Sequence, residues 1–517
     1  MSKVFIENQT GFYHATPGET ILEVLQREGL SMDAPCNGLG KCGKCKVWVS
    51  GEINPASDKE REHLIGEEPG VRLGCMAKII GDVQIRLFNQ KERLKGIEEE
   101  QHNLEQDLMD FYAEEQYGVA FDIGTTGISG TLHRMKDGAI VSSCARINPQ
   151  VRFGADVLSR ITFCMEQSDG LRRLQEVMIA GLNEMLMELA KGKQSLVINR
   201  IVVSANTTML HLLAGVNPVP LAIAPYCPVF TKTQTLKAAD MGFKVLTDCE
   251  LVLLPSLSAY IGSDVIGGLV VNSKKKVNNN TLYLDIGTNG EIALCKQGKW
   301  AATSTAAGPA LEGANIQCGC RAQSGAVESV SLDEKGHISF QVINQVKANG
   351  LCGTGLLDLV AVLLESGQLT KNGKLVSVDC YAKEHPLIDK KWFLTEQIFL
   401  SQKDIRQVQL AKGAIATGIH LLLKELNMKL EEVEEIRIAG AFGYHLNPDS
   451  LLRIGLLPQE YKGQVQFVGN ASLAGAQEAL CNPDFIKEME VWILGMEVVE
   501  LSTREDFQDT FIRELQF

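Results

Sequence analysis

Gly118–Leu132 reads GVAFDIGTTGISGTL, and Leu282–Leu294 reads LYLDIGTNGEIAL. Each is an apolar strand, then Asp-Ile-Gly-Thr, then a Gly within three residues, then a second apolar strand. The pattern predicts a β-hairpin closed by a Gly-Thr turn. The two aspartates, Asp122 and Asp285, stand 163 residues apart, far too long a period for a solenoid. Duplicated lobes fit that spacing, each opening with a hairpin whose turn faces its copy.

A nucleotide phosphate chain needs close backbone approach, several N–H donors and a carboxylate near its Mg²⁺. Gly124 and Gly287 offer the approach, and Thr125, Thr126, Thr288 and Asn289 the donors. Asp122 and Asp285 would hold the metal through water, because Mg²⁺ keeps much of its hydration shell. One such turn is an ordinary hairpin; two copies at the head of two lobes point to phosphate. Neither copy is a Walker loop or a dinucleotide fingerprint. A third piece, Ile436–Gly443, reads IRIAGAFG, and Gly440, Ala441 and Gly443 give flat backbone where a purine can lie.

Together these stretches resemble the acetate and sugar kinase/Hsp70/actin superfamily over roughly residues 117–517. The resemblance implies two ribonuclease-H-like α/β lobes, about 117–278 and 279–517, with ATP between them and hinge closure coupled to nucleotide state.

The N-terminal 89 residues read differently. Val4–Ile6 and Gly11–Ala15 read as a hairpin, Glu19–Glu28 as a helix stopped by Gly29, and Lys46–Val49 and Val83–Leu87 as strands. Cys36, Cys42 and Cys45 give C-x5-C-x2-C, and Cys75 follows after 29 intervening residues. Three thiolates on a loop punctuated by Gly38, Gly40 and Gly43, with a fourth from afar, suit a [2Fe–2S] cluster. A four-cysteine zinc site more often pairs two short knuckles, and only one is present. The spacing has one residue more in its first gap than the plant-type pattern and resembles adrenodoxin-like ferredoxins. A small β-grasp domain is therefore expected over 1–89.

Residues 90–116 are rich in Glu, Lys and Gln and read as a charged helical linker, with a surface helix of the next domain as the alternative.

A ferredoxin domain joined to such an ATPase resembles the reductive activators of corrinoid proteins. Ser204–Met209, Leu254–Asp264, Ala306–Ala314 and Gly353–Leu359 extend that resemblance. It implies a corrinoid protein of a methyltransferase system as partner, a low-potential electron donor upstream, and ATP, Mg²⁺ and the cluster as cofactors; a homodimer is a further expectation. One departure is expected: the region ahead of the ATPase lobes is compact, with no large separate middle domain. A small-molecule kinase with an accessory ferredoxin, or an ATP-regulated electron-transfer module, is the alternative reading.

Composition agrees. The chain has 517 residues, 50 Lys plus Arg against 63 Asp plus Glu, and a formal charge of −13. That balance gives no general attraction for nucleic acid or anionic membranes. No apolar run reaches a bilayer span, and Met1–Thr10 lacks an export pattern, so a cytoplasmic site is expected. Ten of the 14 cysteines are scattered, as small buried hydrophobes usually are; Cys318 and Cys320 read as buried or loop thiols and Cys352 as a packing residue. His211 and His445 read as core histidines; Glu291, Glu312 and Arg152 stay open.

Overall fold

A computed structural model describes residues 2–7, 11–28, 30, 32, 40, 43, 45–64, 67–87, 116–191, 197–245, 248–273, 280–440 and 446–517. The linker expected over 90–116 lies outside these residues except for Gln116, which opens a strand.

The N-terminal unit comprises β1 (Ser2–Ile6), β2 (Tyr13–Ala15), α1 (Ile21–Arg27), β3 (Lys46–Ile53), α2 (Asp58–His63), β4 (Val71–Leu73) and β5 (Ile79–Leu87). Its sheet runs β2-β1-β5-β3-β4, with β1 and β5 parallel at the centre. Alternation puts Val4, Ile6, Val47, Val49, Val83 and Ile85 on the face that buries Ile21, Val24 and Leu25 of α1. The helix starts two residues later than expected because Thr20 lies outside it as its cap: Thr20 N–H donates to Glu23 Oε2 at 2.8 Å and Glu23 N–H returns to Thr20 Oγ1 at 3.2 Å. The six-residue α2, DKEREH, carries no apolar stripe, which is why the periodicity missed it.

The second unit begins with a meander, β6 (Gln116–Ile123), β7 (Gly127–Arg134) and β8 (Ile140–Ile147). Then follow α3 (Val157–Glu166), α4 (Gly170–Leu189), β9 (Val197–Ala205), α5 (Thr207–Ala214), β10 (Gln234–Lys237), β11 (Glu250–Leu253) and α6 (Ser263–Ser273). The sheet order is β10-β11-β9-β6-β7-β8, with β9 parallel to β6 and β11 parallel to β9.

The third unit repeats that plan. Its meander is β12 (Thr281–Ile286), β13 (Gly290–Lys296) and β14 (Lys299–Thr305). Two small sheets follow, β15 (Ala326–Leu332), β16 (Ile338–Val342) and β17 (Gly350–Leu351), then, after α7 (Gly353–Glu365), β18 (Leu387–Ile388), β19 (Lys391–Phe393) and β20 (Phe399–Ser401). The chain continues through α8 (Gln402–Glu425), β21 (Glu435–Ala439), α9 (Pro448–Arg453), β22 (Gln464–Gly469), α10 (Ala471–Cys481), α11 (Asp484–Gly495), β23 (Met496–Val498) and α12 (Phe507–Glu514). The order β22-β21-β12-β13-β14-β23 again places two parallel strands beside the first strand of the meander.

Helices α6 and α10 fill the space between the two sheets. Ala120, Val202 and Val252 from one sheet and Tyr283, Ala293 and Ala439 from the other share a core with Ile266, Leu269, Ala476 and Leu480. The small residues let the helices approach the strands closely. Where the helices cross, Gly475 meets Gly267: a Cβ built on Gly475 would stand 2.7 Å from the Gly267 backbone. Among the described residues no helix is long and apolar enough to cross a membrane.

Candidate functional site

The two hairpins close with turns of different length. Ile123 pairs with Ile128 across a four-residue turn, whereas Ile286 pairs with Gly290 across three. The extra residue shifts the register, so Asp122 faces Ser129 while Asp285 faces Glu291. The sequence repeat alone aligned the two copies without that slip.

In the first turn, Asn148 Nδ2 donates to Gly124 O at 2.8 Å, Asn148 N–H to Thr126 O at 2.9 Å, and Asn206 Nδ2 to Thr125 Oγ1 at 3.1 Å. Asp122, at the end of β6, accepts from Ser472 Oγ at 2.7 Å and Asn470 Nδ2 at 2.9 Å. Both donors come from the start of α10 in the other lobe, where Asn470 also caps the helix. Burial raises the Asp122 carboxyl above its ordinary value, and these two bonds oppose the rise.

The second turn presents Gly287, Thr288 and Asn289 beside Glu312. Gly287 N–H donates to Asn289 O at 3.0 Å, and Thr288 Oγ1 donates to Glu312 Oε1 at 3.3 Å. Thr126 of the first turn also bonds Glu312, so the two turns face each other across one carboxylate. Gly440, at φ +113°, leaves β21 beside Asp285, and a Cβ there would stand 3.3 Å from Asp285 Oδ1 and 2.8 Å from Ile286 O. Ala441 and Gly443 lie outside the described residues.

A fifth acid completes the wall. Asp264, at the start of α6, accepts from Val265 N–H at 2.9 Å and acts on the second hairpin through the charge of Asp285. Burial, then the Asp285 charge, pushes Asp264 up to about 8. Burial, then the Asp122 and Glu312 charges, pushes Asp285 up to about 7. Burial holds Glu291 well above its ordinary range, with Asp264 and Asp285 adding to the rise, and it also raises Glu312. These buried charges repel one another, and among the described residues no three acidic, histidine or cysteine side chains are grouped so as to hold a metal ion.

Sequence reasoning did not single out Asp264, Asn470, Ser472, Asn148 or Asn206. The available signal was a polar residue heading an apolar helix after a strand, in IGSD and in GNAS, which recurs once per lobe.

In the N-terminal unit, Cys45 Sγ and Cys75 Sγ are 3.3 Å apart. A disulfide bond is about 2.05 Å, while two sulfurs on one tetrahedral metal at about 2.3 Å stand about 3.7 Å apart. At 3.3 Å the two sulfurs are unbonded and stand near enough that both could ligate one iron. Buried Glu60 fixes the approach to Cys75: it accepts from Arg72 Nε at 2.7 Å, Arg72 Nη2 at 2.9 Å and Leu73 N–H at 2.9 Å. Gly74 N–H then donates to Cys45 O at 2.6 Å. Gly40 and Gly43 adopt φ +63° and +67°, and a Cβ on Gly43 would strike His63 at 2.7 Å. Cys36, Cys42 and Gly38 lie outside the described residues.

His211 is buried, with Nδ1 against Thr207 O at 2.8 Å and Nε2 accepting from Val229 N–H at 3.1 Å, a satisfied core group. Cys352 is buried, Cys318 and Cys320 are half-buried, and His445 is outside the described residues.

A β-grasp ferredoxin domain followed by two ribonuclease-H-like lobes defines a redox protein built on the acetate and sugar kinase/Hsp70/actin fold. Residues 4–79 match the 2Fe-2S iron-sulfur cluster binding domain, 117–276 the RACo middle region, and 279–517 the C-terminal domain of RACo, its ASKHA domain. The corrinoid activation enzyme RamQ of Eubacterium limosum is 33% identical over 424 residues, covering 78% of this chain and 70% of RamQ. The [Co(II) methylated amine-specific corrinoid protein] reductase of Methanosarcina barkeri is 25% identical over 434 residues, 78% of this chain and 77% of that one. A solved reductive activator for corrinoid, iron-sulfur protein superposes with a TM-score of 0.71 at 25% identity, covering 100% of this chain and 98% of that one. The chain belongs to the family of corrinoid-activating proteins. The middle-region match corrects one expectation: that region is present, folded as the lobe with the first hairpin.

Proposed function

We propose that this protein is an ATP-dependent reductive activator that returns an inactive Co(II) corrinoid protein of a methyltransferase system to Co(I). The observation that carries the reading is the presence on one chain of the close Cys45–Cys75 pair and a buried group of acids between two facing turns. Cys36, Cys42, Cys45 and Cys75 would hold a [2Fe–2S] cluster, which supplies a one-electron, low-potential carrier.

In the cleft, Gly124, Thr125 and Thr126 and Gly287, Thr288 and Asn289 would cradle the phosphates. Gly440, Ala441 and Gly443 would form the adenine floor. Asp122 and Asp285 would hold Mg²⁺ through water, with the metal offsetting phosphate charge during hydrolysis. Glu312, bonded to a threonine from each turn, spans the gap that lobe closure would narrow.

Reducing cobalt is uphill from ordinary donors in this reading. Each 59 mV of one-electron gap costs a factor of ten, about 1.4 kcal/mol. Nucleotide state shifts that balance only through unequal affinity for the Co(II) and Co(I) partners, and about 5.5 kcal/mol moves 1:99 to 99:1. An upstream low-potential donor reloads the cluster, and a cytoplasmic homodimer is the expected working form. The test is ATP turnover with and without a Co(II) corrinoid protein. Stimulation supports the reading, and turnover stimulated by a sugar or carboxylic acid instead would favour a kinase.

A further inference from the structure

Arg160 of α3 is buried to 0% exposure. Its hydrogen bonds go to neutral acceptors: Nε to Gly154 O at 3.0 Å, Nη1 to Gln150 Oε1 at 3.1 Å and to Met209 Sδ at 3.2 Å, and Nη2 to Thr125 O. Asp156, one helical turn earlier, acts on it only through space, its carboxylate being bonded to Ser159 N–H at 2.7 Å. A guanidinium buried without a contacting counter-ion is costly unless an anion nearby offsets it.

The backbone shows where that anion belongs. Arg160 holds the carbonyl of Thr125 from behind, and Asn148 holds that of Gly124. Across a planar trans peptide the N–H points opposite to the C=O. Thr126 N–H is thereby aimed away from Arg160, and Thr125 N–H away from the Asn148 side chain. Among the described residues neither donates a hydrogen bond. The charged bond to Thr125 O also polarises the shared peptide, which strengthens Thr126 N–H as a donor.

We propose that Arg160 is a positioning residue for the phosphate chain: by holding Thr125 O from behind, it turns Thr126 N–H toward the nucleotide and sets a buried positive charge behind the first turn. This rests on the nucleotide reading above, and it names the residue that polarises the site.

The test uses the full-length protein with Mg²⁺·ATP and, as a phosphate-free probe, adenosine. Gln150→Glu places a carboxylate on Arg160 without removing it. Neutralising the cation should weaken ATP binding about tenfold or more, leave adenosine binding unchanged, and keep or raise Tm through the new ion pair. Arg160→Lys keeps the charge and loses the fork, so ATP affinity should stay within about threefold, whereas Arg160→Met should lose about tenfold or more. A purely structural arginine predicts the opposite: Tm falls in both Arg160 variants while ATP affinity stays level across all three. That result overturns the proposal, and if Gln150→Glu or Arg160→Met does not fold, the remaining variants decide. Native protein that binds no Mg²⁺·ATP removes the nucleotide reading itself, a separate outcome.

Discussion

Ser472 Oγ donates to Asp122 Oδ1 at 2.7 Å across 350 residues of chain. The bond joins the start of α10 in one lobe to the first hairpin of the other. It ties the protonation state of Asp122 to how the lobes sit. Ser472→Ala removes a bond to a charged group, worth about 1.5–3 kcal/mol, and lets the Asp122 carboxyl rise further. ATP turnover is expected to fall about tenfold, and in Asp122→Asn about 100-fold, with the iron signal intact in both. Measured turnover equal to native in both variants would mean Asp122 does not serve the nucleotide.

Gly475 and Gly267 make the interlobe crossing. A Cβ on Gly475 meets Gly267 backbone at 2.7 Å, whereas one on Gly267 meets Gly475 Cα at 3.3 Å. Backbone cannot step aside as a flexible side chain can. Gly475→Ala should therefore destabilise the lobes by about 1–3 kcal/mol, and Gly267→Ala by less. Thermal unfolding of the two variants gives the order directly; the reverse order would contradict the packing.

The acids of the cleft predict a pH-dependent response to metal. Asp285 and Asp264 are pushed up to about 7 and about 8. Free carboxyls in the unfolded chain titrate near 4. Between those values the folded protein binds more protons than the unfolded chain, so the contribution of these acids to stability falls as pH rises from about 4 to about 8. Mg²⁺ competes with those protons. The Tm gain from Mg²⁺·ADP should therefore be larger at pH 8 than at pH 6. A gain that is equal or smaller at pH 8 removes the cluster as the seat of the metal.

The sulfur pair predicts a separable defect. Cys45→Ser and Cys75→Ser should each lose most of the bound iron, because the two thiols stand together at 3.3 Å and a missing thiolate leaves the cluster under-coordinated. Affinity for Mg²⁺·ATP should not change. Full iron content in either variant would remove that cysteine from the ligand set.

The fold was legible where signals are local. Asp-Ile-Gly-Thr announces each hairpin, and Ile21, Leu22 and Leu25 announce the first helix, because strand and helix periods are written in adjacent residues. Asp264, Asn470 and Ser472 were not legible as site residues: each acts on a partner from a different element, and spacing along the chain carries no trace of that. The one-residue difference between the turns also escaped. It decides that Glu291, and not Ile292, stands opposite Asp285, yet it is set by strand pairing. Arg160 was hidden for the same reason, four residues into a helix whose role is to back a turn 35 residues earlier.

The central claim is that ATP and the cluster act together on cobalt, and the growth of Co(I) absorbance from a Co(II) corrinoid protein tests it most directly. The reaction contains this protein, a low-potential reductant, Mg²⁺·ATP and the corrinoid partner, and each is omitted in turn. The account predicts sustained Co(I) formation over many turnovers only in the complete mixture, with Cys45→Ser and Asp122→Asn each as inactive as the matching omission. Full, repeated reduction without ATP would contradict the coupling.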